Sequence, residues 1–306
     1  MSAATPMIDF DVEQIDAVTV TGPAAFARRD LMSPYVWRRP DGKLAMLVRA
    51  VPHADYDHGA AGDTGSIWHA LSDDGLSFAV EGGPVLGPGP GPDDIGGCED
   101  PTPVVLPDGS LVVYYTGVDA TRAHAELLYA TGPSLDALVK RGVAMLNSDS
   151  EGNIKEATVD RTRAGEWRLF YEYAHAEASR VGLAIGKSVA GPWDRQPPPF
   201  APRPDGWDSW HLSTGPLLTT DKNFPVMFYN GATRDARWRI GWVAFDADYG
   251  RVVDRCIEPL ITPPPAPDRS AADIAFAASV VIVDDAIWLY YSLADATLNR
   301  AIIRRI

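Results

Sequence analysis

The sequence predicts an all-β chain folded as a five-bladed β-propeller, and three observations lead there. First, one kind of apolar strand occurs five times, as GKLAMLVRA (42–50), GSLVVYYTG (109–117), EWRLFYEYA (166–174), FPVMFYNGA (224–232) and AIWLYYSLA (286–294). The copies start about 55 to 70 residues apart, the spacing of a repeat architecture. Second, each copy is followed by another apolar run and preceded by a further short strand candidate, so the repeating unit is three or four antiparallel strands. Third, helix signals are scarce, and Gly, Pro and Asp-Gly turns cut the chain throughout. A lone blade cannot cover both of its faces, which is why such units come in closed sets. A two-sheet sandwich would leave the even spacing unexplained.

The elements follow in order. SPYVWRRP (33–40), PTPVVLP (101–107), EATVDRT (156–162), STGPLLTT (213–220) and IAFAASVVIVDD (274–285) are the expected innermost strands. The runs beginning at residues 65, 125, 180, 239 and 298 are the expected third strands. The segment QIDAVTVTG (14–22) is expected to supply the outer strand of the last blade, so that residues 1–306 form one domain. Pro-rich stretches at 84–92, 197–204 and 263–267 fall between blades, and Asp-Gly at 41, 74 and 108 marks hairpins. Asp246 and Asp248 in AFDADYG are expected turn residues.

Composition narrows the partners. The 41 acidic against 27 basic residues give a formal charge of -14, which argues against nucleic acid and anionic membranes and leaves a small neutral or cationic ligand. Cys98 and Cys256 have no C-x-x-C partner and are expected as buried free thiols. MSAATPMIDFDVEQ lacks the features of a secretory leader, and no uncharged apolar stretch reaches about 18 residues, so a cytoplasmic location is expected. Neither a Rossmann nor a Walker A glycine pattern is present, and no cofactor is expected. His53, Asp55, Asp57, His58 and Asp63 crowd one loop; without fixed ligand spacing they read as a rim over the ligand site, and no metal is expected.

In a propeller the innermost strands line the axial channel and open on one face. The candidates at those openings are Ser33 in the first blade, Glu99 and Asp100 in the second and Lys155 and Glu156 in the third. The fourth places Trp210 and His211 there, after Asp208, and the fifth Asp273. Carboxylates from three blades thus converge, and charged groups gathered in an axial pocket need a reason. Glycosidic-bond cleavage supplies one, because it takes a protonated carboxylic acid at the leaving oxygen and an ionised carboxylate to activate the attacking group. Crowded acids also raise the pKa of at least one member. Trp68, Trp207, Trp210 and Trp238 are candidate stacking surfaces for sugar rings.

Through these residues the chain resembles glycoside hydrolase family 130, the mannoside phosphorylases and their hydrolytic relatives, within the five-bladed glycosidases. GCEDPTPVV is similar to the Gly-x-Glu-Asp-Pro-Arg signature, AMLVRA to the first-blade strand that ends in arginine, and NIKEATV to the Asn-Lys-Asp segment. IWLYYSLADATLNRA is similar to the closing Tyr-Tyr-Gly-x-x-Asp segment, and GRVVDRCIEPLITPP to the run into a Pro-rich blade junction. The resemblance implies that Asp100 is the general acid, reaching the glycosidic oxygen through a sugar hydroxyl. It also implies that Glu99 and Arg49 bind sugar and that Lys155 and Asp295 lie near the pocket.

Thr102 stands where the signature has arginine, and few other basic residues fall at funnel positions, which favours water over phosphate as the nucleophile. The candidate bases are then Glu156, Asp273 and Glu172, the last depending on which way its strand faces. The expected activity is inverting hydrolysis of short β-mannosides or related glycosides. The alternatives are phosphorolysis of β-mannosides, an arabinanase- or xylosidase-like reaction using Asp100, Glu156 and Asp273, and a sugar-binding propeller without chemistry.

Overall fold

The middle strands of the repeats are largely apolar because neighbouring blades cover both of their faces. All eight residues of Leu111–Val118 are buried, as are Leu44–Val48. The computed structural model describes residues 8–53, 65–265 and 273–306.

Strand β1 (Phe10–Thr21) precedes the first blade. Blade 1 comprises β2 (Arg29–Arg38), β3 (Leu44–Pro52), β4 (Ser66–Ser72) and β5 (Ser77–Val80). Blade 2 comprises β6 (Gly97–Val105), β7 (Leu111–Val118), β8 (Ala125–Gly132) and β9 (Val139–Met145). Blade 3 comprises β10 (Gly152–Arg161), β11 (Trp167–His175), β12 (Ala178–Gly186) and β13 (Trp193–Gln196).

In blade 4 each of the first three strands is broken in two. They run as β14 (His211–Ser213) with β15 (Leu217–Leu218), β16 (Val226–Met227) with β17 (Asn230–Ala232), and β18 (Arg239–Ile240) with β19 (Val243–Phe245), before β20 (Val252–Arg255). Thr214, Gly215 and Pro216 separate the first pair, and Pro216 has no amide proton for a ladder. Blade 5 comprises β21 (Ala275–Val283), β22 (Ala286–Leu293) and β23 (Thr297–Arg305). The chain is a five-bladed β-propeller.

Two ladders tie the ends of the wheel together. Residues Phe10–Val18 of β1 pair antiparallel with Leu298–Arg305 of β23, as the fourth strand of blade 5. Thr19–Thr21 then run parallel to Ser77–Ala79 of β5, which carries the sheet on into blade 1.

At the hub, every junction between adjacent blades carries a side-chain hydrogen bond. The Ser33 hydroxyl donates to Asp100 Oδ1 at 2.6 Å between blades 1 and 2, and Thr102 donates to the Ala157 carbonyl at 2.7 Å between blades 2 and 3. Thr158 donates to the Gly215 carbonyl at 3.0 Å, and Ser279 to the Pro34 carbonyl at 2.7 Å, closing blade 5 onto blade 1. Between blades 4 and 5 the amide of Asn230 donates to the Thr214 and Ala277 carbonyls at 2.6 and 3.2 Å, and its oxygen accepts the Ala277 N–H at 2.7 Å. All but the Ser33 bond satisfy backbone groups that the innermost strands, lacking a neighbour on the channel side, leave unpaired.

Bulges in β2, β6 and β10 fall between Met32 and Tyr35, Glu99 and Thr102, and Lys155 and Thr158. Each holds one residue in the left-handed region: Ser33 at φ 51°, Asp100 at 48° and Glu156 at 53°. A bulge re-aims a side chain, and here it does so at equivalent places in three consecutive blades.

Asn230 is fully buried, so Asn230→Ala strands three backbone groups, each costing about 1–3 kcal/mol when left unpaired. The variant is expected to lose about 3 kcal/mol or more of unfolding free energy, measured as a lower urea midpoint at an unchanged m-value.

Candidate active site

All five blades contribute side chains to one axial cavity of about 200 Å³, the charged ones coming from four of them. Its polar wall consists of Arg49 from β3, Glu99 and Asp100 from β6, Lys155 and Glu156 from β10, Glu172 from β11, and Asp295 from the turn after β22. Its apolar wall consists of Met32, Trp238, Ile274 and Phe276. A second lobe of about 520 Å³ shares Arg49, Glu99, Lys155, Glu172 and Ser179 with the first and adds Arg122, His124 and Asn153. The two lobes form one funnel that narrows toward the hub.

Arg49 is in contact with Glu99 and lies 3.5 Å from Asp100 Oδ1. Burial alone would lower its pKa, but Asp100 and Glu99 reverse that and hold it more firmly protonated. Asp100 is buried and takes the Ser33 hydroxyl as well. Glu172 also faces the cavity, where Lys155 Nζ stands 3.3 Å away and the Ser179 hydroxyl donates to it at 2.8 Å. Glu172 raises the pKa of Lys155, overcoming the effect of burial.

Glu156 is pushed well above the ordinary carboxylate range, by burial first and then by the charge of Asp100. Burial likewise raises Glu99 and Asp295, against the pull of Arg49. Seven ionisable groups thus share a small lobe, five acids against two bases.

Of the residues expected at the hub, Arg49, Glu99, Asp100, Lys155, Glu156, Glu172 and Asp295 line the cavity; Asp273, Asp208, Trp210 and His211 do not. Asp273 is a correction. It precedes β21 by two positions and pairs with Arg237 at 3.1 Å, while the hub position of that strand belongs to Ala277, which bonds Asn230. Asp208 is a second correction. It is fully buried away from the funnel, accepting from Arg203, Arg255 and Tyr229, and it ties the 203–208 segment to β20.

Trp210 packs under the Arg234 guanidinium at 3.5 Å, and its carbonyl accepts from Arg180. His211 sits just behind the wall: its Nδ1 accepts the Ser179 N–H at 3.2 Å, its ring lies 5.4 Å from that of Trp238, and burial lowers its pKa. Of the four tryptophans expected to stack on sugar, Trp238 lines the cavity, whereas Trp68 is buried inside blade 1 and Trp207 stacks on Tyr229.

The structure adds Arg122, His124, Asn153 and Ser179, which the strand pattern did not single out. It also changes the meaning of Thr102, a buried part of the hub ring whose hydroxyl is bonded to Ala157. Cys98 and Cys256 are buried free thiols, and burial pushes Cys98 up to about 12.

Of the 53–63 loop, Asp55, Asp57, His58 and Asp63 lie outside the described residues. Among the described residues no group of three or more His, Cys, Asp or Glu is placed to hold a metal ion, and no helix is long and apolar enough to cross a membrane.

A carboxyl whose pKa is raised on folding contributes stability that is present below its unfolded value, near 4.5, and lost as pH rises through the folded value. Glu156→Gln removes that loss. The variant is therefore expected to be more stable than the parent at pH 8, by on the order of 1 kcal/mol or more, with the difference vanishing below about pH 4. Chemical denaturation at the two pH values checks this.

No family model matches the chain. It is 24% identical over 272 residues to a 1,2-β-oligomannan phosphorylase of Thermoanaerobacter sp. (strain X514), covering 86% of each sequence. A β-1,2-mannobiose phosphorylase from Listeria innocua, solved with β-1,2-mannobiose, superposes with a TM-score of 0.73 at 16% identity, over 96% of this chain and 91% of that one. A structure from the glycoside hydrolase family 130 of mannoside phosphorylases, which contains hydrolases that target β-1,2-mannosidic linkages in Candida mannan, superposes with a TM-score of 0.75 at 22% identity, over 99% and 95% of the two chains. The fold, the order of the motifs and this sequence relative agree: the chain is a five-bladed β-propeller that resembles the mannoside phosphorylases and hydrolases of glycoside hydrolase family 130.

Proposed function

We propose that the chain is a glycoside-processing enzyme that cleaves short β-mannosides, with β-1,2 linkages favoured by its likeness to two β-1,2-mannoside phosphorylases, and that inorganic phosphate is the attacking group. The observation that carries this is the funnel's division of labour. Its inner lobe holds the acids, and Arg49 and Lys155 at the junction, with Arg122, His124 and Asn153 beyond, provide donors for an anion beside them. The expectation of water rested on a shortage of cations and on Thr102. Arg122 in the outer lobe adds a cation to that set, and Thr102 is bonded within the hub, away from where an anion would enter.

In this reading one mannose ring occupies the inner lobe with its apolar face against Trp238 and Phe276 and its hydroxyls toward Glu99, Asp295 and Arg49. Asp100 gives up its proton toward the leaving oxygen as the C1–O bond breaks, and a phosphate oxygen forms the new bond to C1 from the opposite face, with inversion. The proton lost by Asp100 is matched by the one that hydrogen phosphate sheds on becoming the ester. Lys155 and Glu172 hold each other at the edge where the phosphate enters.

Incubation with β-1,2-mannobiose is expected to release mannose 1-phosphate only when phosphate is present, and Asp100→Asn to lower turnover by about 10²–10⁴-fold. Free mannose formed at the same rate without phosphate would overturn phosphorolysis in favour of water. Absence of turnover on any manno-oligosaccharide would overturn the substrate class.

A further inference from the structure

Asp100 and Glu156 occupy equivalent bulge positions on neighbouring inner strands, and the bond from Thr102 to the Ala157 carbonyl at 2.7 Å pins those strands together one or two residues away from each. Both line the same inner lobe. Their surroundings differ. Asp100 takes the Ser33 hydroxyl and faces Arg49, while the Glu156 carboxyl makes no hydrogen bond or ion pair among the described residues. Lys155, its neighbour in the chain, is turned to Glu172.

The groups facing the pair are Arg49 on β3, Glu99 on β6, Lys155 on β10, Glu172 on β11 and Asp295 after β22, with Arg122 approaching Glu99 from the outer lobe. Two cations cannot neutralise five ionised carboxyls in so small a buried space, so a proton has to remain among them. Two of the five, Glu156 and Asp295, have no hydrogen bond or ion pair among the described residues, and Glu156 is the one held on the strand next to Asp100 at the equivalent bulge, so it is where that proton is best kept.

We infer that Asp100 and Glu156 work as one proton-sharing pair, in which Glu156 is a positioning residue that keeps the last proton of the pair available to Asp100. This rests on the reading of Asp100 as the acid. It removes Glu156 from the candidate bases, because a group that must hold a proton cannot also take one from the attacking molecule. When the pair is fully ionised the two negative charges oppose each other, so the alkaline limit of activity is set by both residues together. With glutamine at 156 that repulsion is gone, and Asp100, still facing Arg49 and Ser33, loses its proton at lower pH.

The test is a carboxyl ¹³C NMR titration of the intact protein, as parent, Glu156→Gln and Asp100→Asn, beside the pH profile of kcat/KM for β-1,2-mannobiose with phosphate. In the parent, one carboxyl of the pair is expected to titrate above pH 6. Glu156→Gln is expected to move both the Asp100 midpoint and the alkaline limb of kcat/KM downward by on the order of one pH unit, and Asp100→Asn to lower the Glu156 midpoint. A parent in which both carboxyls are already ionised at pH 6 overturns the pairing, whatever the variants do. An unmoved Asp100 midpoint in Glu156→Gln overturns it as well, and if turnover is also lost at every pH, Glu156 is a base. The titration needs no substrate, so a failure of the proposed activity leaves this test intact.

Discussion

A closed circle of side-chain hydrogen bonds around the hub is the constraint on which the rest of the molecule depends. Each innermost strand has a paired neighbour on one side only, and water cannot serve the other side where five strands crowd together. Ser33, Thr102, Thr158, Asn230 and Ser279 answer this with one device, a short polar side chain from one blade that bonds a group of the adjacent blade. Four of the five acceptors or partners are backbone. The exception is the junction of blades 1 and 2, where the acceptor is the Asp100 carboxylate. Structure and chemistry therefore meet at that residue: the group assigned to move a proton is also a strut of the wheel.

This overlap explains the electrostatic character of the cavity. The hub ring fixes where the bulges occur, and the bulges fix the left-handed residues that turn Ser33, Asp100 and Glu156 to one side. Non-glycine residues in that conformation cost of order 1 kcal/mol or more each and persist only where their surroundings demand it. The acids then find themselves buried with too few counter-charges, and the burial penalties on Glu99, Glu156 and Asp295 follow. The crowding of acids is here a by-product of how the blades are joined, and it is a locally unfavourable arrangement that the large apolar contacts between blades sustain.

Much of this was legible in the sequence because it depends on periodicity and on local chemistry. Five apolar strands with covered faces leave a regular signal, and so does a carboxylate pair ahead of proline at a strand mouth, so Glu99, Asp100, Lys155 and Glu156 could be placed at the channel from their strands alone. Asp273 was misplaced because the strand begins before the bulge that aims a side chain inward, and the bulge in β21 falls further on, between Ala277 and Ser279. Asp208 was misplaced because a carboxylate beside two tryptophans looks the same whether it faces a sugar or, as here, two arginines brought from residues 203 and 255. Arg122 and His124 sit in the connection between β7 and β8 and Asn153 at the start of β10, places whose position depends on contacts between blades that no local pattern records. Thr102 shows the converse: its strand was identified, while its partner 55 residues further on was not.

The pairing of β1 with β23 has a kinetic side. Its ladder joins Phe10 to Arg305, so almost the entire chain lies within the loop that this contact shuts. Bringing such distant segments together is entropically unfavourable until the intervening blades have already shortened the path between them. The seam is therefore the last part of the wheel to assemble and the first from which it can come apart, and a protease or a pulling force applied near either strand acts on the whole ring at its latch.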